Sequence, residues 1–501
     1  MSHTAYVLSY RLAMPVDYDL VIIGGSAAAR HAARFARQFH ARIALIEPPP
    51  PQIGSLDTQR SVCRALQQFG QRFRQLYSVT LEAQNEPSLW ATHGEILKTG
   101  LADDLAWSTL TTHVQSRQTS LSMLTASGID TIVGAGEFRR RPTVAFQVGG
   151  RELRSRAYLL AGGSQLIIPT VSGIDTLSPL TIDDCLHPET ITRLIHRHLV
   201  LVGSTSYAIM LAQSLVRLGV RVTLIVQDRK LLPDIDDDLA WGMQIHLEAD
   251  GIQMVAGVTV IQVRELDGQT WVQVGNQAIA ADEVLFLDER QPCLETLNLA
   301  AATVKYEPQG IRVNHHLQTQ NPRIYAIGEA IGHYEFANVT QYEAEIAVKN
   351  ALFLPTRSIL DQWVPKVIEM APPAAWVGMT EADAKTRYGR DIHVFRESMK
   401  VVPKAQRSGD TTGFCKLVLL SSGELLGAHL IGYRADEVIG ILAVAMQNNM
   451  TIEAIAQLVY PTDAMADMIN QIAAQWRQRR LSRGWRRNLF ESLFTLRRDW
   501  S

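Results

Sequence analysis

Two short segments of the chain combine glycine, a hydroxyl side chain and alanine in a spacing that suits phosphate binding. The first, GGSAAA, lies between the apolar run DLVII and the helix-like segment RHAARFARQF. Gly24 allows a tight turn, and small residues let an anion approach the helix N-terminus. Ala29 is an accepted third residue of the motif, and Ser26 adds a side chain whose hydroxyl can donate to a phosphate there. Glu47 ends the next apolar run and can accept hydrogen bonds from ribose hydroxyls. The pattern predicts a dinucleotide site, although a strand–helix–strand unit without a ligand would show the same periodicity.

A second copy of this pattern follows later in the chain, in LVLVGSTSYAIMLAQSLVRLGVRVTLIVQ. Gly203, Thr205 and Ala208 occupy the corresponding positions of the turn. Its second apolar run ends at Gln227, which is neither the acid that favours NAD nor the basic residue that favours a 2′-phosphate. The copy predicts a weak NAD(P) site, and a purely structural layer is the alternative.

The amino-acid composition indicates which broad class of protein the chain belongs to. The 501 residues are 47% hydrophobic and 20% charged, with a net charge of −2, which is typical of a globular protein with two to four domains. This balance gives no general attraction to nucleic acid. No apolar run approaches the roughly 20 residues that cross a bilayer, so we expect a cytoplasmic protein.

Cysteine spacing excludes two other kinds of site. Cys63, Cys185, Cys293 and Cys415 lie far apart, without a CxxC or Cys/His cluster. A zinc site is therefore not expected, and scattered cysteines favour a reducing compartment over a disulfide scaffold.

Further segments carry a resemblance to a known family. RAYLLAGGSQLIIP, NPRIYAIGEA and the stretch from VPKVIEMAPP to IAQLVYPT follow the two turns in family order. The chain is similar to the class I pyridine nucleotide–disulfide oxidoreductases over roughly residues 19–475. The resemblance implies FAD in the first fold, NAD(P)H as a candidate donor in the second, and a homodimer. It implies that FAD contacts also include the residues Gly136, Ala161, Gly162, Gly163, Glu329 and Ala337.

The mercuric reductase branch of this family shows a similar pattern. Its members also use Ser or Thr and Ala in both glycine motifs, and they have Tyr where most of the family has a catalytic His. Tyr460 stands at that position here, so the resemblance makes it a candidate catalytic residue.

The redox-active cysteine pair of the family has no counterpart in this sequence. The resemblance places its two cysteines at Ser55 and Arg60, and a flavin-adjacent lysine at Arg64. Arg64 is therefore a candidate for placing positive charge beside the flavin, with a solvent-facing arginine as the alternative. Cys63 is either a reactive thiol or a small buried residue, and Met465 replaces the acid of the family's His-Glu pair.

These observations predict an α/β fold with two Rossmann-like domains, the second inserted in the first, and a C-terminal α+β dimerisation domain. By sequence we assign an N-terminal extension to 1–18 and a discontinuous FAD domain to 19–168 and 284–354. An NAD(P)-type domain takes 169–283, an interface domain 355–475 and a basic tail 476–501.

The tail differs in composition from the remainder of the chain. Eight arginines and two acids accompany an apolar stripe made by Leu481, Trp485, Leu489, Leu493, Leu496 and Trp500. This pattern predicts either a helix packed on its own dimer or one that binds an anionic membrane or an acidic protein.

Together the motifs favour an FAD-dependent oxidoreductase that passes electrons from NAD(P)H, or another donor, to a non-disulfide acceptor such as a quinone or another small molecule. Disulfide and mercuric ion reduction are not expected, since a serine cannot form a disulfide. The alternative is a flavin-bearing binding or regulatory protein with little turnover.

Overall fold

The computed structural model describes residues 16–48, 62–70, 99–104, 106–107, 110, 119–140, 143–288, 290–333, 336–461, 463–481 and 492–498. By their contacts the chain divides into two compact units. The first unit takes segments 1–55, 113–165 and 290–359, and the second takes segments 56–112, 166–289 and 360–501.

The first unit is built on a five-stranded parallel sheet. In spatial order its strands are Ile324–Ala326, Ser155–Leu160, Tyr18–Ile23, Ile43–Glu47 and Asp130–Val133. Its helices are Ala27–Arg37, Leu121–Ala126 and Ala337–Leu352. A separate antiparallel sheet consists of Gly136–Arg139, Ala145–Val148 and Arg151–Leu153.

Both faces of the parallel sheet are buried, which explains the apolar runs LVII, IALI and AYLL in three of its strands. Leu20 and Ile22 pack into one core cluster, whereas Val21 and Ile23 pack into another on the opposite face. The helix Ala27–Arg37 turns a row of buried alanines towards the first cluster. Small side chains let this helix pack closely against the sheet.

The second unit contains another parallel sheet, ordered Gln253–Ala256, Arg221–Val226, His198–Val202 and Glu283–Phe286. The helices Pro188–Leu194, Ser206–Arg217 and Asp237–Ala249 belong to the same part of the chain. An antiparallel sheet follows, formed by Val260–Leu266, Gln269–Val274 and Gln277–Ala281.

The C-terminal part of the second unit is α+β. Its five-stranded antiparallel sheet has the order Lys366–Ile368, Ala374–Gly378, Leu425–Gly432, Gly413–Leu420 and Ile392–Ser398. The helices are Glu381–Tyr388, Pro403–Ser408, Ala435–Gln447, Ile452–Ala456 and Asp467–Leu481.

The predicted fold class is confirmed: there are two parallel nucleotide-type sheets and a C-terminal α+β domain. The second sheet occurs in sequence between the strands Ser155–Leu160 and Ile324–Ala326 of the first, as expected for an insertion.

Two boundaries differ from those assigned by sequence. The helix at 62–70, assigned to the FAD domain, belongs to the second unit, where its residue Cys63 contacts the carbonyl oxygen of Tyr207. The helix Asp467–Leu481 runs through the proposed start of the tail at residue 476. Trp476 is 3% exposed and donates a 2.9 Å hydrogen bond to Glu453, so it belongs to the C-terminal core.

Among the described residues, no helix is both long and apolar enough to cross a membrane.

An ion cluster around the buried Lys416 connects several elements of the second unit. The Lys416 ammonium lies 2.8 Å from a carboxylate oxygen of each of Asp236, Asp238 and Glu381. Burial alone would lower the pKa of Lys416, but its hydrogen bonds to these carboxylates raise the pKa above its ordinary value. The charge on Lys416 is therefore compensated inside the fold.

We expect Lys416→Ala to lower the free energy of unfolding of this unit by about 3–5 kcal/mol, because it leaves the buried carboxylate of Asp236 without its counter-charge. The midpoint of urea unfolding measures the effect. Lys385→Ala is the matched control, since Lys385 pairs with the same Glu381 on the exposed surface and is expected to cost less than about 1 kcal/mol. Equal shifts in the two variants would contradict a stabilising role for the buried cluster.

Candidate dinucleotide sites

The turn at Gly24 is closed by the hydroxyl group of Ser26. Its Oγ accepts a 3.1 Å hydrogen bond from the backbone N–H of Ala29 and donates a 3.0 Å hydrogen bond to the carbonyl oxygen of Ala161. Ser26 therefore caps the helix Ala27–Arg37 and ties it to the end of a neighbouring strand. Gly24 has φ +145°, and a Cβ there would collide with the Ala161 carbonyl, so glycine is required.

The acid at the end of the next strand also faces this turn. Glu47 accepts a 2.5 Å hydrogen bond from Arg30 through Oε1, while its buried Oε2 has no partner among the described residues. A Cβ on Gly25 would lie only 2.8 Å from the Glu47 Cγ atom. The unused carboxylate oxygen beside a side-chain-free turn fits a ribose hydroxyl group, as FAD in this fold requires.

A second acid is held in place by a polar cluster within the first unit. Glu329 Oε2 accepts hydrogen bonds from the Ser164 backbone N–H at 2.5 Å and from its hydroxyl at 2.7 Å. Arg290 donates to the Ser164 hydroxyl at 2.8 Å and to its carbonyl oxygen at 2.9 Å. The cluster fixes the carboxylate that we assign to the flavin ribityl chain.

Sequence reasoning missed Arg290 in this cluster. Its side chain is 2% exposed, which is rare for an unpaired arginine and indicates a structural partner. Arg290 opens the short strand Arg290–Pro292, and no sequence pattern marks it, because its partner Ser164 lies 126 residues away.

The remaining assigned FAD residues occupy different kinds of position. Gly163 has φ +80°, and its carbonyl accepts a 3.0 Å hydrogen bond from Cys293. Ala337 is the first residue of a 16-residue helix whose N-terminus has no side-chain cap, which suits an anionic or carbonyl group of a ligand. Gly136 is required by packing, since a Cβ there would collide with Phe146.

The second turn repeats the hydroxyl cap of the first. Thr205 Oγ1 accepts from the Ala208 N–H and donates to the carbonyl oxygen of Leu287, both at 3.3 Å. Gly203 has φ +148°, close to the value for Gly24. Residues assigned by spacing therefore do come together in each turn.

The two helix caps correct the sequence-based expectation that the Ser26 hydroxyl donates to a phosphate. A Ser hydroxyl next to a phosphate site can in principle donate to the phosphate, but Ser26 donates its proton to Ala161 and Thr205 donates its proton to Leu287. The hydroxyls shape the turns, and the backbone N–H groups remain as the anion donors.

Three side chains near the second turn bear on how strongly it would hold a nucleotide. Gln227 is exposed directly after the strand Arg221–Val226, and Met210 is 6% exposed on the preceding helix, Ser206–Arg217. In addition, the Ser204 backbone N–H donates a 2.9 Å hydrogen bond to Asp288. Sequence reasoning missed Asp288, because 84 residues separate it from the turn.

The two assigned catalytic residues have protein partners of their own. Arg64 makes a two-pronged ion pair with Glu369, with N···O distances of 2.8 and 2.5 Å, so its charge is offset within the second unit. Tyr460 donates a 3.3 Å hydrogen bond to the Ile455 carbonyl oxygen, and burial raises the pKa of its phenol. Ser55 and Arg60 lie outside the described residues.

We expect Glu47→Ala to raise the dissociation constant of FAD by about 10- to 100-fold, because a charge-assisted hydrogen bond to ribose is lost. Fluorescence of FAD released on dilution measures this change. Glu307→Ala, which removes an exposed acid paired with Arg312 in the same unit, is expected to stay within about 2-fold. Undiminished FAD retention in Glu47→Ala would contradict the assignment.

Comparison with known proteins extends the resemblance over most of the chain. Residues 18–344 match the family described as pyridine nucleotide-disulphide oxidoreductase, and residues 364–473 match its dimerisation domain. The second match supports a homodimer.

Individual relatives agree with these matches. A mercuric reductase from Staphylococcus aureus is 32% identical over 461 residues, covering 90% of this chain and 81% of its own. A dihydrolipoyl dehydrogenase from Bacillus subtilis is 27% identical over 492 residues, covering 92% of this chain and 98% of its own.

Solved structures show the same fold at lower identity. LpdA from Mycobacterium tuberculosis has a TM-score of 0.76 at 19% identity, covering 91% of this chain and 99% of its own. The HOCl-induced flavoprotein disulfide reductase RclA from Escherichia coli has a TM-score of 0.72 at 23% identity, covering 91% and 99%. The chain belongs to the pyridine nucleotide-disulphide oxidoreductase family, as an oxidoreductase that depends on FAD and uses NAD(P)H as its electron donor.

Proposed function

We propose that this oxidoreductase passes electrons from NAD(P)H, by way of FAD, to a small acceptor that is not a disulfide, such as a quinone. The observation that carries the proposal is the environment of Cys63. When bound, FAD supplies the capacity to accept a hydride and to release electrons one or two at a time. The protein's own residues decide which acceptor can follow.

Cys63 is poorly suited to thiol chemistry. It is 0% exposed, and its Sγ lies 3.8 Å from the carbonyl oxygen of Tyr207. Burial raises the pKa of the Cys63 thiol, and Cys185 and Glu369 raise it further. Because the thiolate is the reactive form of cysteine, this side chain stays protonated and inert at neutral pH.

The other cysteines supply no obvious replacement. Cys185 and Cys415 are each 0% exposed, and burial raises the pKa of both thiols. Cys293 is only partly buried, but burial also raises the pKa of its thiol. These properties support an acceptor that is reduced without a cysteine relay.

The groups that would move protons for a dithiol are also replaced. Tyr460 has its hydroxyl on the Ile455 carbonyl and a raised pKa, so it is a poor general base near neutral pH. Met465 is 5% exposed and packs into the C-terminal core. A quinone needs no thiol-linked base, because it can take its protons from water once reduced.

We expect Cys63→Ala to leave quinone reduction by NAD(P)H within about 3-fold of the unchanged protein, since the thiol takes no part. Steady-state rates with a soluble benzoquinone measure this. Oxidised glutathione, lipoamide and mercuric ion are expected to be poor acceptors for both proteins.

The matched control is Cys415→Ala, which removes a buried thiol from the C-terminal sheet. It shows how far the loss of a buried thiol, and the small cavity that it leaves, lowers the rate of quinone reduction. A loss of more than about 30-fold in Cys63→Ala alone would show that Cys63 is catalytic. Fast turnover with a disulfide or mercuric ion would overturn the proposed acceptor class.

We also propose that the tail attaches the protein to an anionic membrane surface. In the helix at 492–498 every residue is exposed, and Leu493 and Leu496 are 53% and 55% exposed on one face. Eight arginines lie within residues 476–501, so apolar and cationic groups combine as interfacial helices require. Residues 482–491, which include Trp485 and Leu489 of the sequence stripe, lie outside the described residues.

We expect the full chain to sediment with phosphatidylglycerol vesicles and not with phosphatidylcholine vesicles, because the attraction needs both anionic lipid and buried apolar area. A variant that ends at Leu481 keeps the buried Trp476 and is expected to stay in solution with both. Equal sedimentation of the two proteins would refute membrane attachment through this tail.

A further inference from the structure

The two nucleotide-type turns are internal copies whose differences can be compared directly. In each, a capping hydroxyl donates to the carbonyl oxygen at the end of an adjacent strand: Ser26 to Ala161, and Thr205 to Leu287. The next residue after each carbonyl lies beside its turn. That residue is Gly162 in the first copy.

In the second copy the corresponding residue is Asp288. Its Oδ1 atom lies 2.9 Å from the backbone nitrogen of Ser204, which is the residue between Gly203 and Thr205. The Asp288 backbone nitrogen lies 3.2 Å from where a Cβ on Gly203 would stand, so strand end and turn are in close contact. An acid of the protein therefore accepts a hydrogen bond from the turn itself.

Packing does not dictate this difference between the copies. A Cβ on Gly162 would lie 3.5 Å from the nearest heavy atom, the Cys293 carbonyl oxygen, which is ordinary van der Waals contact. Gly162 is also absent from the residues with positive φ. The first turn could thus accommodate a side chain but lacks one, which leaves its N–H groups open to a ligand.

The environment of Asp288 disfavours a negative charge on its carboxyl group. Burial raises the pKa of its carboxyl group and nearby Asp228 raises it further, whereas the hydrogen bond from Ser204 lowers it. The backbone N–H is therefore the group that offsets the cost of keeping an acid beside this turn. A pyrophosphate arriving here would meet like charge and would compete for the same N–H.

We propose that Asp288 limits the affinity of the second nucleotide fold for dinucleotides by occupying, with its own carboxylate, an anion-binding N–H group of the turn. The inference rests on the proposed function, in which NAD(P)H binds to this fold. It makes Asp288 a determinant of how strongly the electron donor is held, alongside the exposed Gln227.

The test measures binding of ADP-ribose, which carries the pyrophosphate, to the FAD-loaded protein by titration calorimetry. Asp288→Asn keeps an oxygen that can accept from Ser204 but removes the charge, and Asp288→Ala removes both. We expect each variant to bind ADP-ribose about 10- to 100-fold more tightly than the unchanged protein, which is the usual weight of one charge-assisted contact. Adenosine, which has no pyrophosphate, is expected to change by less than about 3-fold.

Asp267→Asn is the matched control. Asp267 lies in the turn between the strands Val260–Leu266 and Gln269–Val274 of the same unit, and asparagine tolerates its φ of +52°. The control removes one negative charge away from the turn, and ADP-ribose affinity is expected to stay within about 2-fold.

A second pair of variants, at Gly162, tests in the first turn whether an acid at this position weakens dinucleotide binding. These variants leave the second turn unchanged. Gly162→Asp places an acid at the equivalent position of the FAD turn, and Gly162→Asn places a neutral side chain of the same size. We expect FAD to dissociate at least about 10-fold more readily from the Asp variant than from the Asn variant.

The inference is overturned if ADP-ribose affinity in both Asp288 variants stays within about 3-fold of the unchanged protein, or if adenosine gains equally. Equal FAD retention in the two Gly162 variants would overturn it as well. ADP-ribose transfers no electrons, so these results do not depend on whether NAD(P)H reduces the flavin. Failure of the proposed function and failure of this inference are thereby distinguished.

Discussion

One hydrogen-bonded hydroxyl in each nucleotide-type fold fixes the geometry on which the rest of the site depends. Ser26 and Thr205 each cap a helix and at the same time hold the end of a strand far away in sequence. Loss of such a cap typically costs about 1 kcal/mol, and here it would also release the strand end that borders the ligand. At a position where the usual motif has glycine, the hydroxyl residue therefore keeps the helix and the strand end close together through its hydrogen bonds.

This constraint makes the residues after each strand end important. The carbonyl residue Ala161 is followed by Gly162 and Gly163, whereas the carbonyl residue Leu287 is followed by Asp288 and Glu289. In the first fold the N–H groups of the turn are consequently free of a competing side chain. In the second fold a nucleotide would compete with the Asp288 carboxylate for an N–H group of the turn. From this asymmetry we expect strong FAD retention and weak binding of the electron donor.

Local sequence predicted much of this arrangement. Apolar runs, the spacing of Gly24, Ser26 and Ala29, and Glu47 at a strand end are short-range signals, and they placed both Rossmann-like folds correctly. Contacts between distant segments could not be read in the same way. The Ser26–Ala161 bond spans 135 residues and the Arg64–Glu369 pair spans 305, so neither leaves a periodic pattern.

The direction of polar side chains was also beyond sequence reasoning. A serine in a phosphate-binding turn can face the ligand or the protein, and the choice depends on which carbonyl lies nearby. Likewise the start of the tail could be placed only approximately, because Trp476 is buried by packing against Phe395 in the C-terminal core and not by its neighbours in sequence. In each case the missing information is tertiary.

The central claim is that NAD(P)H delivers electrons to the flavin through a second fold that binds it weakly. Anaerobic titration of the FAD-loaded protein with NADH and with NADPH, followed by the flavin absorbance, tests it most directly. The account predicts slow bleaching by both nucleotides, half-complete only at high concentration and with little preference between them. An unbleached flavin at millimolar concentration of both nucleotides, or tight and selective reduction by one of them, would contradict it.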